Sequence, residues 1–428
     1  MHPVLSAVRS SGRLALLTLC TLSVPALATN GYLSHGYGNQ SKGAVGVAAA
    51  LPQDALVTAT NPAGLMFLDN RLDLGVDIFV PRREAEIAGN MVPGVDDRYD
   101  GNDSKTFYIP EFGYRRALSD DVAFGLAIYG NGGINTDYRD NPYGGFGATG
   151  QAGVNMEQVF VSPALAWRIT EHSSFGLALN LAHQRFRANG IGLFGAYSSE
   201  PTKVSNNGHD TSNGAGVRIG WQGRIGERLD LGASWQSVTW MSEFDEYRGL
   251  FADQGDFDIP ENYVVGIAFH ASDVLTLALD WQRILYSDIT AVGNSAATLF
   301  NGTQQLGVDD GPGFGWNDID VWKLGVVFRA SPALTLRAGY SRNDQPIPGK
   351  ETFFNILAPG VIEQHASVGA TWHLDDNNSL TFAYTHAFGE TVEGKQSIPP
   401  GAPPGFGGGE ADIYLKEDIF GFSWNLKL

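Results

Sequence analysis

Few residue groups in this chain could support catalysis. "HAS" (His365, Ala366, Ser367) sets a histidine and a serine two positions apart, a pairing that a barrel-borne lipase could use for nucleophilic attack. On a strand that spacing puts both on one face. Ala366, Val368, Ala370 and Trp372 form the other, apolar face, and a serine attacking membrane lipid would have to stand there. "GFGATG" (Gly145 to Gly150) fits a dinucleotide fingerprint by letter alone, because no strand-helix unit surrounds it. Asp309 and Asp310 read as solvated loop acids, and no clustered Cys/His metal motif is present. These residues point to no enzyme, cofactor or metal.

Binding chemistry is better represented. In "WMSEFDEYRGLF", Trp240, Phe244, Tyr247 and Phe251 recur at a spacing that lines one face of a helix. "IGLF" adds Ile191, Leu193 and Phe194 in another loop. Two apolar loop elements could form an outer groove for a greasy ligand, or pack on each other as a cap. Arg218, Lys323 and Arg337 are cations at positions that alternate with outward apolar residues. Each could hold a carboxylate head group or pair with an acid such as Asp280.

The elements that must position these residues are strands. In "IFGFSWNLKL", Phe420, Phe422, Trp424, Leu426 and Leu428 share one face, and Gly421, Ser423, Asn425 and Lys427 share the other. The same alternation runs through Leu72 to Val80, Val122 to Ile128, Val217 to Trp221 and Leu275 to Trp281. About fourteen strands are expected, near 71–80, 105–116, 121–130, 156–169, 174–187, 214–225, 229–240, 261–270, 274–286, 318–330, 334–342, 362–374, 379–388 and 414–428. Their lengths reach the roughly 9–11 residues that a tilted strand needs to cross a bilayer. Short turns such as "ALSD", "TEHS" and "DDNN" alternate with long loops rich in Gly, Pro, Asn and Asp. A soluble sandwich has no reason to alternate in this way, whereas an outer-membrane barrel does, with short periplasmic turns and long outer loops. Trp167, Trp372 and Trp424, close to turns or the terminus, read as girdle residues.

The amino end agrees with export. Arg9 and Arg13, the apolar run Leu14 to Val24 and the small-residue site "ALA" read as a signal peptide over 1–28. The sole cysteine, Cys20, lies within it, so the processed chain has no disulfide. A formal charge of -18 repels nucleic acid and excludes it as a partner.

Residues 29–70 precede the first strand, too long for a linker and too apolar for a solvated tail. The inward positions of the expected barrel are mostly small: Gly125, Ala127, Ala178, Gly216, Gly220, Gly266, Gly325, Gly339 and Gly369 among them. Small side chains leave the lumen unfilled, and 29–70 is expected to fill it as a plug ahead of a barrel over 71–428. Asn61-Pro62 would make the turn toward the first strand.

"TNPAGL", with Asn61, Pro62 and Ala63, resembles the hatch motif of the FadL-type long-chain fatty acid and hydrocarbon transporters of Gram-negative outer membranes. "GPGFGWND" (Gly311 to Asp318), "RAGYSRNDQPIP" (Arg337 to Pro348) and "FNILAPGVIEQHASVG" (Phe354 to Gly369) are similar to that family as well. The resemblance implies a fourteen-stranded barrel with an N-terminal hatch, an outer low-affinity site made by the loops, and a monomer. It also implies passage of fatty acids, alkanes or aromatic hydrocarbons, with an exit sideways between early strands near a kink. The partners so implied are hydrophobic small molecules, outer-membrane lipids and the barrel assembly machinery. "GNGG" (Gly130 to Gly133) permits such a distortion. Leu428 stands where many barrels end in Phe. The competing readings are a general porin for polar solutes, which needs an open charged lumen, and an adhesin or phage receptor that uses the long loops.

Overall fold

The computed structural model describes residues 30–401 and 405–428, so the expected signal peptide lies outside the described residues. Among the described residues sixteen strands occur in chain order: β1 (Arg71–Ala88), β2 (Asp97–Asp100), β3 (Phe107–Ala117), β4 (Val122–Tyr138), β5 (Ala152–Thr170), β6 (Ser173–Asn189), β7 (Asp210–Ile225), β8 (Leu229–Gln236), β9 (Trp240–Met241), β10 (Asn262–Ser272), β11 (Leu275–Ile284), β12 (Ile319–Ser331), β13 (Leu334–Asn343), β14 (Gln364–His373), β15 (Asn378–Val392) and β16 (Glu410–Lys427). β2 and β9 are short additions to β1 and β7. The other fourteen close an antiparallel barrel, as the alternation implied. The last strand pairs with the first from Arg71↔Lys427 to Ala88↔Glu410. Closure leaves no unpaired edge for lipid to meet.

The alternation in sequence becomes an inside and an outside. On β6 the outward Phe175, Leu177, Leu179 and Leu181 are each exposed, while Ser174, Ala178, Asn180 and Ala182 between them are buried. Trp322, Leu324, Val368 and Trp372 continue this apolar band on other strands. The band is the surface that a bilayer covers. Trp372 and Trp424 face outward close to the short turns, and Trp167 stacks on Phe175 at 6.2 Å.

Several strands run past their expected ends. β1 continues to Ala88 rather than 80, and β16 starts at Glu410 rather than 414. The outward residues there are Arg82, Glu84 and Glu86 against Lys416 and Asp412, so the ladder leaves the apolar band and continues in water. The strand expected over 229–240 stops at Gln236, and Trp240 belongs to the separate β9.

Within β4 the inside-outside alternation lapses. Tyr129, Gly130, Asn131, Gly132, Gly133 and Ile134 are all buried. The register with β5 shifts between Gly130 and Gly132. β3 pairs with β4 only from Phe112↔Ile128 to Ala117↔Ala123. Above Ile128, β4 therefore keeps its β5 ladder but has none with β3, and Asp137 bridges instead to Asn102 in the loop before β3.

Candidate functional site

Residues 30–70 fold without long helices, as a short turn Asn39–Lys42 and two tight 3-10 turns, Ala55–Ala59 and Pro62–Phe67. Most of their side chains are buried. They pack on the inward glycines. A methyl group added to Gly113 would come within 3.1 Å of the Ala55 Cβ, and one added to Gly369 within 2.8 Å of the Gly43 Cα. Small inward residues are thus the means by which a second layer of chain approaches the wall. Asn61 is fully buried and caps the second 3-10 turn, its Oδ1 accepting from the Ala63 N–H at 3.2 Å. Its Nδ2 donates to the carbonyls of Ala49 at 2.7 Å and Trp221 at 3.0 Å. Pro62 occupies the first position of that turn, where a missing N–H costs nothing. The Ala63 carbonyl accepts from Ser174 Oγ on β6 at 2.9 Å.

The three inward cations hold this segment. Arg218 Nη1 donates to the Thr60 carbonyl at 3.1 Å, and Lys323 Nζ to the His35 carbonyl at 2.8 Å. Arg337 donates to Gln53 at 2.6 Å, Gln40 at 2.9 Å and Thr371 at 2.6 Å. Lys323 stands opposite Asp280 in the β11–β12 ladder, but the expected pairing with a lumen acid is not a direct ion pair. None is ion-paired to Asp280, whose Oδ2 instead accepts from the N–H groups of Ala48 and Ala49 at 2.9 and 3.0 Å. Each donates to at least one main-chain or side-chain oxygen of residues 35–60, and Arg337 also to the Thr371 hydroxyl on the wall.

Two cavities lie between this segment and the outer loops. The first, of about 30 Å³, is walled by Tyr32, Phe79, Ile134, Trp316 and Leu415, with Arg83 and Glu417 at one side. The second, of about 10 Å³, is lined by Val154, Met156, Phe186, Phe251, Phe257 and Phe354 among others and is almost wholly apolar. Ile134, on the inward-turned part of β4, borders both. Tyr32 joins β4 through main-chain bonds: Gly133 N–H donates to the Tyr32 carbonyl at 2.9 Å, and Ser34 N–H to that of Asn131 at 3.0 Å.

Residues 26–402 match the family described as outer membrane protein transport protein (OMPP1/FadL/TodX). The chain belongs to that family. This places it in the bacterial outer membrane. The long-chain fatty acid transport protein of Escherichia coli K12 is 23% identical, with 85% of this chain and 88% of that protein covered. Among solved structures, a Pseudomonas aeruginosa FadL homologue has a TM-score of 0.69 at 16% identity, covering 93% of this chain and 99% of that one. The Pseudomonas putida toluene transporter TodX has a TM-score of 0.68 at 16% identity, covering 94% and 100%.

In this FadL/TodX-family chain, two of the stretches that carried the resemblance meet at the cavities. "GPGFGWND" contributes Pro312, Gly313, Phe314 and Trp316, and "FNILAPG" contributes Phe354, Leu357 and Ala358 to Gly360. Trp316 Nε1 donates to Asn355 Oδ1 at 2.6 Å, which ties the two loops together.

The loop residues singled out for an outer groove are placed differently. The helix expected over Trp240–Phe251 is replaced by a 3-10 turn, Asp245–Tyr247, and a four-residue turn, Ala252–Gly255. Two positive φ angles, at Asp253 and Gln254, break any longer helix. Phe244, Tyr247 and Phe251 nonetheless converge on Phe186, with ring centroids 5.7, 4.8 and 4.7 Å away. Trp240 stands apart, 63% exposed. Phe194 packs with Tyr143 and Phe354 at 5.2 and 5.5 Å, beside a buried Ile191 and a half-buried Leu193. These are two aromatic clusters, and Phe251 among the seven residues lines the second cavity. Asp256, in the same loop, is raised to about 7 by burial and by the neighbouring Asp258.

His365 and Ser367 are occupied by packing partners. His365 Nδ1 meets Ser341 Oγ at 3.1 Å and its ring stacks on His35 at 5.8 Å, while Ser367 meets Thr385 at 2.8 Å. The sequence reading missed Lys42, buried with its ammonium on Asp77 and Glu111. A lone lysine in a segment meant for a lumen, opposite inward acids on the first two long strands, was the available signal.

Proposed function

We propose that this protein is a passive, ligand-gated channel for hydrophobic molecules, in which residues 30–70 are the movable hatch. The observation that carries the reading is the pair of small, mainly apolar cavities that both border Ile134, set between the loops and the hatch and against the stretch where β4 lacks a β3 ladder. A hydrophobic molecule enters from the loops, rests at the cavities, which are too small to hold it until the hatch moves, and leaves when Tyr32 and its neighbours release β4. The unpaired seam between β3 and β4 supports a sideways exit into lipid. The E. coli relative is named for long-chain fatty acids and the P. putida structure for toluene, which supports a hydrophobic cargo here.

Energetics explain why a gate is needed. Each buried CH₂ contributes about 0.8 kcal/mol, so a fully sequestered sixteen-carbon chain gains roughly 12 kcal/mol before ordering costs. Binding near the nanomolar range makes release slow unless the site itself changes. The test is a double variant, Ala55→Cys with Gly113→Cys, at positions whose Cβ atoms would lie 3.1 Å apart. The processed chain has no other cysteine, Cys20 falling in the signal peptide. Oxidation should abolish uptake of a hydrophobic probe and reduction should restore it. Undiminished uptake by the oxidised form would refute the movable hatch. A large steady current in planar bilayers from the unmodified protein would favour a porin instead.

A further inference from the structure

The outward face of β6 changes character partway along. Phe175, Leu177, Leu179 and Leu181 are apolar and exposed, and the next three outward residues are His183, Arg185 and Arg187. The buried Gln184, Phe186 and Ala188 alternate with them and fix their direction. Leu181 lies across from Ala215 on β7, and Ala215 from Trp240 on β9. Trp240, 63% exposed, stands on this row, at the depth where an interfacial tryptophan ends the hydrocarbon layer. Arg185 is four residues further on, about 13 Å along the strand and about 10 Å up a wall tilted by about 40°. From there an arginine side chain reaches the phosphate layer on the long-loop side.

Two guanidiniums this close repel each other unless an anion lies between them. The side chains of Arg185 and Arg187 make no hydrogen bond or ion pair with another described residue. Their ladder neighbours offer little. Glu157 stands opposite Arg185 and Asn155 opposite Arg187 on β5, and Thr211 stands opposite Arg185 on β7. Glu157 is 8% exposed, and its Oε1 accepts from Asn155 Nδ2 at 2.7 Å. His183 turns to Asn213, Nδ1 to Oδ1 at 2.8 Å. The next acids are taken: Asp210 accepts from the N–H groups of Thr211 and Glu246 at 2.8 Å each, and Glu246 pairs with Lys203 at 2.7 Å. Two cations are therefore left over at the edge of the apolar band, on a chain of formal charge -18.

We propose that Arg185 and Arg187 hold the phosphate of an outer-leaflet lipid whose acyl chains lie on Leu179 and Leu181. The assignment needs only the barrel's place in the outer membrane and stands apart from the hatch reading. The planar guanidinium fork matches phosphate oxygens, and a phosphate monoester brings no cation of its own to compete with the arginines. Continuity with the apolar band decides for a lipid over a soluble anion, because the lipid gains the chain contacts as well. β6 neighbours β5, and β5 neighbours β4, so the held lipid stands two strands from the seam between β3 and β4.

The test is native mass spectrometry of the full-length protein in detergent, titrated with lipid A bearing two phosphates, with its dephosphorylated form and with inorganic phosphate. Lipid A should bind at least tenfold more tightly than the dephosphorylated form. Arg185→Gln with Arg187→Gln should bring lipid A down to the level of the dephosphorylated form while leaving binding of the latter intact, which also shows that the variant is folded. Equal binding of the two lipids by the unmodified protein, or undiminished lipid A binding by the variant, overturns the site. Inorganic phosphate bound as tightly as lipid A makes it a free-anion site and overturns the lipid assignment.

Discussion

The side-chain amide of Asn61 lies 3.0 Å from the main-chain oxygen of Trp221, joining a turn inside the barrel to β7 of its wall. The same nitrogen reaches Ala49 at 2.7 Å, and the side-chain oxygen caps Ala63 at 3.2 Å. One residue therefore joins two parts of the hatch to the wall, and it needs two donors and one acceptor to do so. Only an amide of that length provides them. Gly220 allows the approach, because a methyl group there would meet the Asn61 oxygen.

Asn61→Asp keeps the shape and removes the donors. A buried carboxylate would then face two carbonyl oxygens, at a cost of about 1–3 kcal/mol for each group left unsatisfied. Faster hydrogen exchange across residues 44–66 and a measurable ion leak in planar bilayers are expected. Unchanged exchange would show that the turn is held by the proline and the packing alone.

Lys42 is buried between Asp77 and Glu111. Lys42→Met leaves two carboxylates uncompensated, and removing one partner of such a buried set costs about 3–5 kcal/mol. The loss should fall mainly on the hatch, read as accelerated exchange at residues 34–46. Adding Asp77→Asn and Glu111→Gln to the same chain should recover much of it, since the penalty comes from charge rather than shape.

Phe251 and Trp240 were alike in the sequence pattern and differ in the structure. Phe251 is buried at 3% and borders the second cavity, whereas Trp240 is 63% exposed. Phe251→Ala should destabilise the loop cluster on Phe186 by about 3–5 kcal/mol and weaken binding of a hydrophobic probe. Trp240→Ala should change neither. Equal effects from the two variants would return the site to the surface groove.

Asp256 titrates upward, to about 7, because it is partly buried and shares its surroundings with Asp258. The sign follows from that direction. With the loop packed, the group holds its proton above the ordinary carboxylate range, so opening the loop favours ionisation. Packing is therefore most stable at acid pH and weakens as pH rises from about 4 to about 7. Exchange of residues 244–260, corrected for intrinsic rate, should increase over that window. Asp256→Asn should flatten the dependence. Phe257 lines the second cavity, so probe affinity should fall in parallel.

What the sequence determined was the period. Alternation at every second residue needs no partner to be read, because each strand carries its own inside and outside. The same alternation placed His365 and Ser367 on the inner face and so removed the lipase reading before any contact was known. Small inward residues showed that something must fill the lumen, and Asn61-Pro62-Ala63 marked where that segment turns. Only the tertiary structure decided what the polar side chains do. Arg218, Lys323 and Arg337 look alike as isolated cations, yet each binds an oxygen from residues 35–60, far away in the chain. Arg83 and Glu417, at one side of the first cavity, come from strands at opposite ends of the chain, and neighbours across a barrel seam leave no local trace in sequence. Hydrophobic period is a property of one segment, whereas hydrogen-bond partnership is a property of pairs, and the pairs exist only once the barrel has closed.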